Sequence, residues 1–329
     1  MITRRALLRA LGTGTLLAGA WPVSGQQQTR IPRIGVLFYA SSSAPFPQRG
    51  MATIVQRLGE LGYVEGKTIL IDVRYAEGNA QRLTELAREL AASKVDVIVA
   101  QGVSASTAAR QATSTIPIVM AAAGNPIGAG LIASLARPGG NVTGTTNLPL
   151  GGKHVDLIRE LVPRIAKLAI LANLTNAGAA SFVAAMTDAA RKFNIGAVVA
   201  EVTRGEDFLT AFAMIRNAHL DGLLVAVEPL IQTHGAEVIA FAATTRLPAI
   251  YDFGELARQG GLIAYGPVFI EHYALAADYV DKILKGAKPG DLPVQQPARF
   301  ELVINMKTAK ALGITIPQSL LLRADEVIQ

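Results

Sequence analysis

The stretch VDVIVAQGVSASTAARQA, residues 95–112, decides how this chain is read. A strand-like apolar run over 95–100, interrupted only by Asp96, breaks at Gln101-Gly102 and continues as small, hydroxyl-bearing residues in a helical pattern. Strand, tight turn and helix in that order form the unit from which parallel sheets are built.

Outward from this unit the same alternation recurs. Strand-like runs fall at 33–38, 69–73, 116–121 and 141–144, and between them lie helical patterns such as Leu83, Leu86, Ala87 and Leu90, spaced i, i+3, i+4, i+7. The rhythm repeats at 167–172, 196–202, 221–227, 248–251 and 261–265. The fold class this implies is α/β, two similar doubly wound lobes with parallel sheets, joined by a multi-strand hinge. A helix over 270–285 ends at Gly286, and a stretch punctuated by Pro289, Pro293 and Pro297 leads to a strand over 300–305 and a helix from Lys307. The expected division is residues 31–147 plus 267–290 for the first lobe and 148–266 plus 291–329 for the second.

Composition narrows the function. The 329 residues include no cysteine, which removes disulfides, thiolate metal sites, a cysteine nucleophile and a lipid-modified cysteine. The four histidines, His154, His219, His234 and His272, include no i, i+4 pair, so no metal site and no cofactor are expected. The net charge of +6 is concentrated at one end: residues 1–25 hold Arg4, Arg5 and Arg9 and no acid, and the remainder carries 28 basic against 25 acidic side chains. That is no nucleic-acid footprint. Residues 1–25 instead read as a cleavable export signal, with a basic start, an apolar run over 10–20 too short to span a bilayer, and small residues before Gln26. Paired arginines ahead of two leucines resemble the twin-arginine type. The expected location is the periplasm, without a lipid anchor.

In open parallel sheets ligands sit beyond the carboxyl ends of the strands, so the turns there carry the function. Those of the first lobe hold Ser42, then Gly102, Ser104 and Ser106, then Asn125, and finally Asn147, all small or neutral. A helix starting near Ser104 or Ser106 offers free N–H groups and the positive end of its dipole to a carboxylate, although serine also commonly caps its own helix. The second lobe's turns hold Asn173, Asn176, Glu228, Tyr251 and Asp252. Its two carboxylates suit a ligand ammonium, or alternatively the first turn of their own helices. One carboxylate grip and one ammonium grip together suit an amino acid or a similar zwitterion.

Several motifs resemble the substrate-binding proteins of bacterial ABC importers, in the branch whose ligand-assigned members take aromatic amino acids. These are LGELGYVEG (58–66), VDVIVA (95–100), ASLARPGGNVTG (133–144), YVDKILKGA (279–287), FELVIN (300–305) and RADEVI (323–328). The resemblance covers residues 31–329. It implies a type I periplasmic binding fold with three crossings between lobes, closure on a small ligand, delivery to an ABC permease in the inner membrane, and no catalysis. Relatives often carry Asp-Pro at both positions where this chain has Asn125-Pro126 and Glu228-Pro229.

Three other readings compete. Ser104 within Gly102-Val103-Ser104-Ala105-Ser106 sits where α/β hydrolases place a nucleophile, but Ser106 stands where the second glycine belongs. Gly128-Ala129-Gly130-Leu131-Ile132-Ala133 fits a loose dinucleotide pattern, but Pro126 separates it from its strand and no acid follows about 20 residues on. A repressor of similar lobed design would carry a basic helix-turn-helix module of ~50 residues ahead of the first strand, where the signal-like segment stands.

Overall fold

The computed structural model describes residues 30–147, 150–226, 228–296 and 298–329. The export-signal reading of residues 1–25 lies outside them. Arg33–Phe38 (β1), Pro45–Glu60 (α1), Leu70–Tyr75 (β2), Ala80–Ala92 (α2), Val97–Gln101 (β3), Gly102–Ala112 (α3), Ile118–Gly124 (β4) and Val142–Asn147 (β5) build the first lobe around a five-stranded sheet of order β2-β1-β3-β4-β5. All its pairings are parallel.

The second lobe begins with Gly151–Leu161 (α4), Lys167–Ala172 (β6), Ala177–Lys192 (α5), Gly196–Glu201 (β7), Asp207–Asn217 (α6) and Gly222–Val225 (β8). It continues with Pro229–Thr233 (α7), Gly235–Thr245 (α8), Ala249–Tyr251 (β9), Gly254–Arg258 (α9) and Ile263–Pro267 (β10). Phe269–Leu284 (α10) returns to the first lobe, where the Tyr273 ring packs on Gly50 of α1 and beside Phe38 of β1. The chain then runs beside β5, with Val294 N bonded to Leu135 O and Gln295 N to Gly144 O. It re-enters the second sheet as Phe300–Asn305 (β11), followed by Met306–Leu312 (α11), Gln318–Leu321 (α12) and Glu326–Ile328 (β12). The resulting sheet has seven strands in the order β12-β11-β10-β9-β8-β6-β7, with β11 antiparallel to β10 and every other pair parallel.

The central strands, such as β3, β6 and β8, are largely apolar because helices cover both faces. β6 shows the division: Leu168 and Ile170 pack against α4 and α5 residues such as Ile158 and Met186, while Ala169 and Leu171 face Phe208 and Phe241 on the opposite side. All four are fully buried, at 0% exposure. Alternation of side chains along a strand makes one sequence serve two cores.

Gly144 is required where β4 and β5 meet. Its φ is 127° and a Cβ there would stand 2.3 Å from Met120 O, so any side chain would strain the backbone and collide with the neighbouring strand.

Candidate functional site

The carboxyl ends of the two sheets face one another across a cavity of about 340 Å³, within the roughly 300–1,000 Å³ of small-molecule sites. The jaws touch at its rim. Gly124 at the end of β4 abuts Gly178 in the first turn of α5, so closely that a Cβ on Gly124 would lie 2.8 Å from Gly178 Cα. Asn125 Nδ2 donates to Ser181 Oγ at 2.7 Å, Gln101 Nε2 to Gln232 Oε1 at 3.4 Å, and Asn176 Nδ2 to Ser104 Oγ at 3.4 Å. The Arg49 guanidinium pairs with the Glu255 carboxylate between α1 and α9.

The first lobe supplies neutral groups. Gln101 closes β3, and its Oε1 accepts from the backbone N–H groups of Tyr39 and Ala40 at 3.1 and 3.3 Å, which fixes its amide at the cavity. Gly102 takes φ +64°, the left-handed turn that converts strand directly into helix, with Pro229 of the other jaw 4.0 Å from where its Cβ would be. Asn147 at the end of β5 donates Nδ2 to Ala122 O at 3.2 Å, and its Oδ1 is a buried acceptor without a partner among the described residues. Such an atom calls for a donor. Phe46, Phe269 and Tyr273 from the first lobe and Phe182 from α5 add aromatic wall. Phe46 also meets Phe253 edge-on at 4.5 Å, centroid to centroid.

The second lobe supplies acids. Glu228 precedes Pro229 at the start of α7, and its Oε1 accepts from Ile231 N at 2.8 Å, while Asn173 Nδ2 lies 3.4 Å from its Oε2. It is both the cap of its helix and part of the cavity wall. Burial pushes its pKa up to about 7, against the hydrogen bonds that oppose the shift. Burial of Tyr39 and, to a lesser extent, the Glu228 charge push the Tyr39 hydroxyl up to about 12. Asp252 follows β9, also lines the cavity, and is pushed well above the usual carboxylate range by burial. Its Oδ1 stands 3.4 Å from Nε2 of the fully buried His154. Among the described lining residues there is no Lys, Arg or His.

Of the residues expected from sequence, Gly102, Asn125, Asn147, Asn176, Glu228 and Asp252 are brought together around the cavity. Asn176 caps α5 through Gly178 N at 2.9 Å, and Asn173 stands behind Glu228. Three expectations are corrected. Ser106 is fully buried and returns its Oγ to Gly102 O at 2.6 Å, because α3 begins at Gly102 rather than at a serine cap. Tyr251 is 1% exposed and packs into the core, since neighbouring residues at a strand end point to opposite faces and Asp252 takes the cavity side. Ser42 is exposed, with its N–H on Glu77 Oε1 at 3.0 Å, and does not line the cavity. Ser104 meets the Asn176 amide rather than a histidine, so its reading as a nucleophile has no support.

A family model described as ABC transporter substrate binding protein matches residues 44–328. The chain belongs to this family. As a substrate binding protein it is 29% identical over 260 residues to the tyrosine-binding protein of Clostridioides difficile strain R20291, covering 79% of this chain and 75% of the relative. Its fold matches that of an ABC domain from Streptococcus pneumonia in complex with L-Trp, at a TM-score of 0.85 and 28% identity over 90% of this chain and 99% of that one. A conserved domain protein from Vibrio cholerae matches at a TM-score of 0.86 and 30% identity, covering 91% and 100%. The two parallel-sheet lobes are those of the type I periplasmic binding fold.

The aromatic wall and Gln101 were not singled out from sequence. Gln101 was visible as the first polar residue after a buried strand. Phe46, Phe269 and Tyr273 meet only when α1 and α10, more than two hundred positions apart, pack together, and no local pattern signals that.

Proposed function

We propose that this substrate binding protein is the exported, periplasmic receptor of an ABC importer, and that it closes by hinge motion on one α-amino acid with an apolar or aromatic side chain and presents it to a membrane permease. The observation that carries the reading is the cavity's polarity: buried acids on one jaw, neutral donors on the other, aromatic rings between, and no basic side chain in the described lining. The ammonium lies against Glu228 and Asn147 Oδ1, forming charge-assisted hydrogen bonds. The carboxylate is held by the Gln101 and Asn176 amides and the N–H groups at the start of α3. The side chain packs against Phe46, Phe269 and Tyr273. L-Trp in one similar structure and the name of the curated relative support an aromatic amino acid.

The reading of residues 1–25 as an export signal supports export. The test is a thermal-shift screen of the purified protein against the twenty amino acids, purines, sugars and small carboxylates. A rise in melting temperature is expected with L-tryptophan, L-tyrosine, L-phenylalanine or L-leucine. Stabilisation by sugars or purines alone would reject the proposal.

A further inference from the structure

His154 has no part in that reading, yet it stands directly behind one of the two acids. It is 0% exposed on α4, with its ring edge-on to Phe182 at 5.0 Å and to Tyr265 at 5.9 Å. Its Nδ1 lies 3.1 Å from Leu150 O, and since a carbonyl only accepts, Nδ1 carries a proton. The Tyr265 backbone carbonyl also faces the ring. Among the described residues Nε2 makes no well-formed hydrogen bond, and an ionisable group in reach of it is Asp252, with Oδ1 at 3.4 Å. Asp252 in turn is 7% exposed and lines the cavity.

We infer that Asp252 and His154 hold one proton between them, so that Asp252 offers the ligand a neutral acceptor and leaves Glu228 as the single net charge of the cavity. An isolated carboxylate at this depth costs several kcal/mol, on the order of a buried ion without partner, whereas a carboxyl O–H aimed at a neutral Nε2 satisfies both groups. Burial acts on the two partners in the direction this requires, raising Asp252 and lowering His154 to about 4. Among the described residues, Glu228 at the start of α7 and Tyr273 on α10 share the cavity with Asp252, and the Tyr265 ring on β10 meets His154. None of them is a cation.

The consequence is selectivity by charge count. The inference rests on the amino-acid reading of the cavity and narrows it to ligands with a single ammonium, excluding dibasic amino acids and diamines. A second ammonium would have to strip the shared proton from the Asp252–His154 pair before it gained a counter-charge.

The pair is tested first without ligand, by NMR of protein labelled with ¹⁵N-histidine, the His154 signals being assigned with His154→Gln. A ring with Nδ1 protonated and no titration between about pH 5.5 and 8 is expected. An imidazole that titrates normally in that range would overturn the pair. Calorimetry with L-tryptophan and L-lysine as probes then compares two isosteric changes. Asp252→Asn keeps a donor for Nε2 and an acceptor for the cavity but alters a lining group, and is expected to lower tryptophan affinity by clearly less than Glu228→Gln, which lowers it roughly 10- to 100-fold. Equal losses in both variants, or lysine binding as tightly as tryptophan, would overturn the inference. If neither probe binds wild type, the proposed ligand class fails, and the histidine spectrum still decides the pair.

Discussion

The two jaws are built on similar sheets yet solve opposite electrostatic problems. The first presents groups of no net charge, satisfied apart from Asn147 Oδ1: Gln101 is tied to the Tyr39 and Ala40 amides, and Thr146 Oγ1 donates to Ala123 O at 2.6 Å. The second buries Glu228 and Asp252 at 4% and 7% exposure with no basic residue in the described lining. A jaw of neutral groups carries little charge penalty whether or not a guest is present. On the proposed reading the Glu228 charge, buried beside the neutral Asp252–His154 pair, is unfavourable until a cation arrives, so binding is expected to depend on an ammonium.

The comparison breaks most sharply at Glu228. Glu228→Gln preserves shape and removes the charge, and is expected to weaken an amino-acid ligand by about 1.5 to 3 kcal/mol, the scale of a charge-assisted hydrogen bond. The reverse change on the first jaw, Gln101→Glu, adds a third acid and is expected to weaken binding of the ligand carboxylate. Calorimetric titration of both variants checks the asymmetry.

Proton competition comes next. With the Glu228 pKa raised to about 7, the empty site is largely protonated below neutrality, so affinity for an ammonium is expected to fall about tenfold from pH 8 to pH 6. The sign for stability is opposite. A carboxyl whose folded pKa lies above its unfolded value favours the folded state while protonated. The ligand-free protein therefore loses stability as pH rises from about 4.5 to about 7, and does not change further through this group above that. Melting temperatures of the ligand-free and ligand-bound forms across that range should diverge with rising pH.

A smaller effect belongs to closure. Gly178→Ala places a methyl against Gly124 and is expected to cost about 1 kcal/mol or more of closure, appearing as faster ligand dissociation with little change in melting temperature of the free protein. Smallest is Ser42→Ala, which removes an exposed hydroxyl outside the cavity and should leave affinity within about 0.5 kcal/mol.

Much of the fold was legible because buried parallel strands write themselves as apolar runs. The 167–172 and 300–305 runs coincide with β6 and β11. β3 starts two residues later than its run, since Asp96 turns its carboxylate to Arg33 N at 2.7 Å and closes the entry to the sheet. β12 is three residues long, too short for periodicity to register. In the site, Glu228, Asp252 and Asn147 were legible as polar residues at strand ends. Tyr251 was misplaced because position along a strand gives no facing direction without the core, and Ser106 because one residue decides which turn of α3 reaches the cavity.

The central claim is that the cavity recognises an ammonium through Glu228. Its most direct measurement is calorimetric titration of the wild-type protein with L-tryptophan and with indole-3-propionate, the same molecule without its amine. Tryptophan binding one-to-one and at least about tenfold more tightly is expected, with the advantage lost in Glu228→Gln. Equal affinity for the two compounds would contradict it.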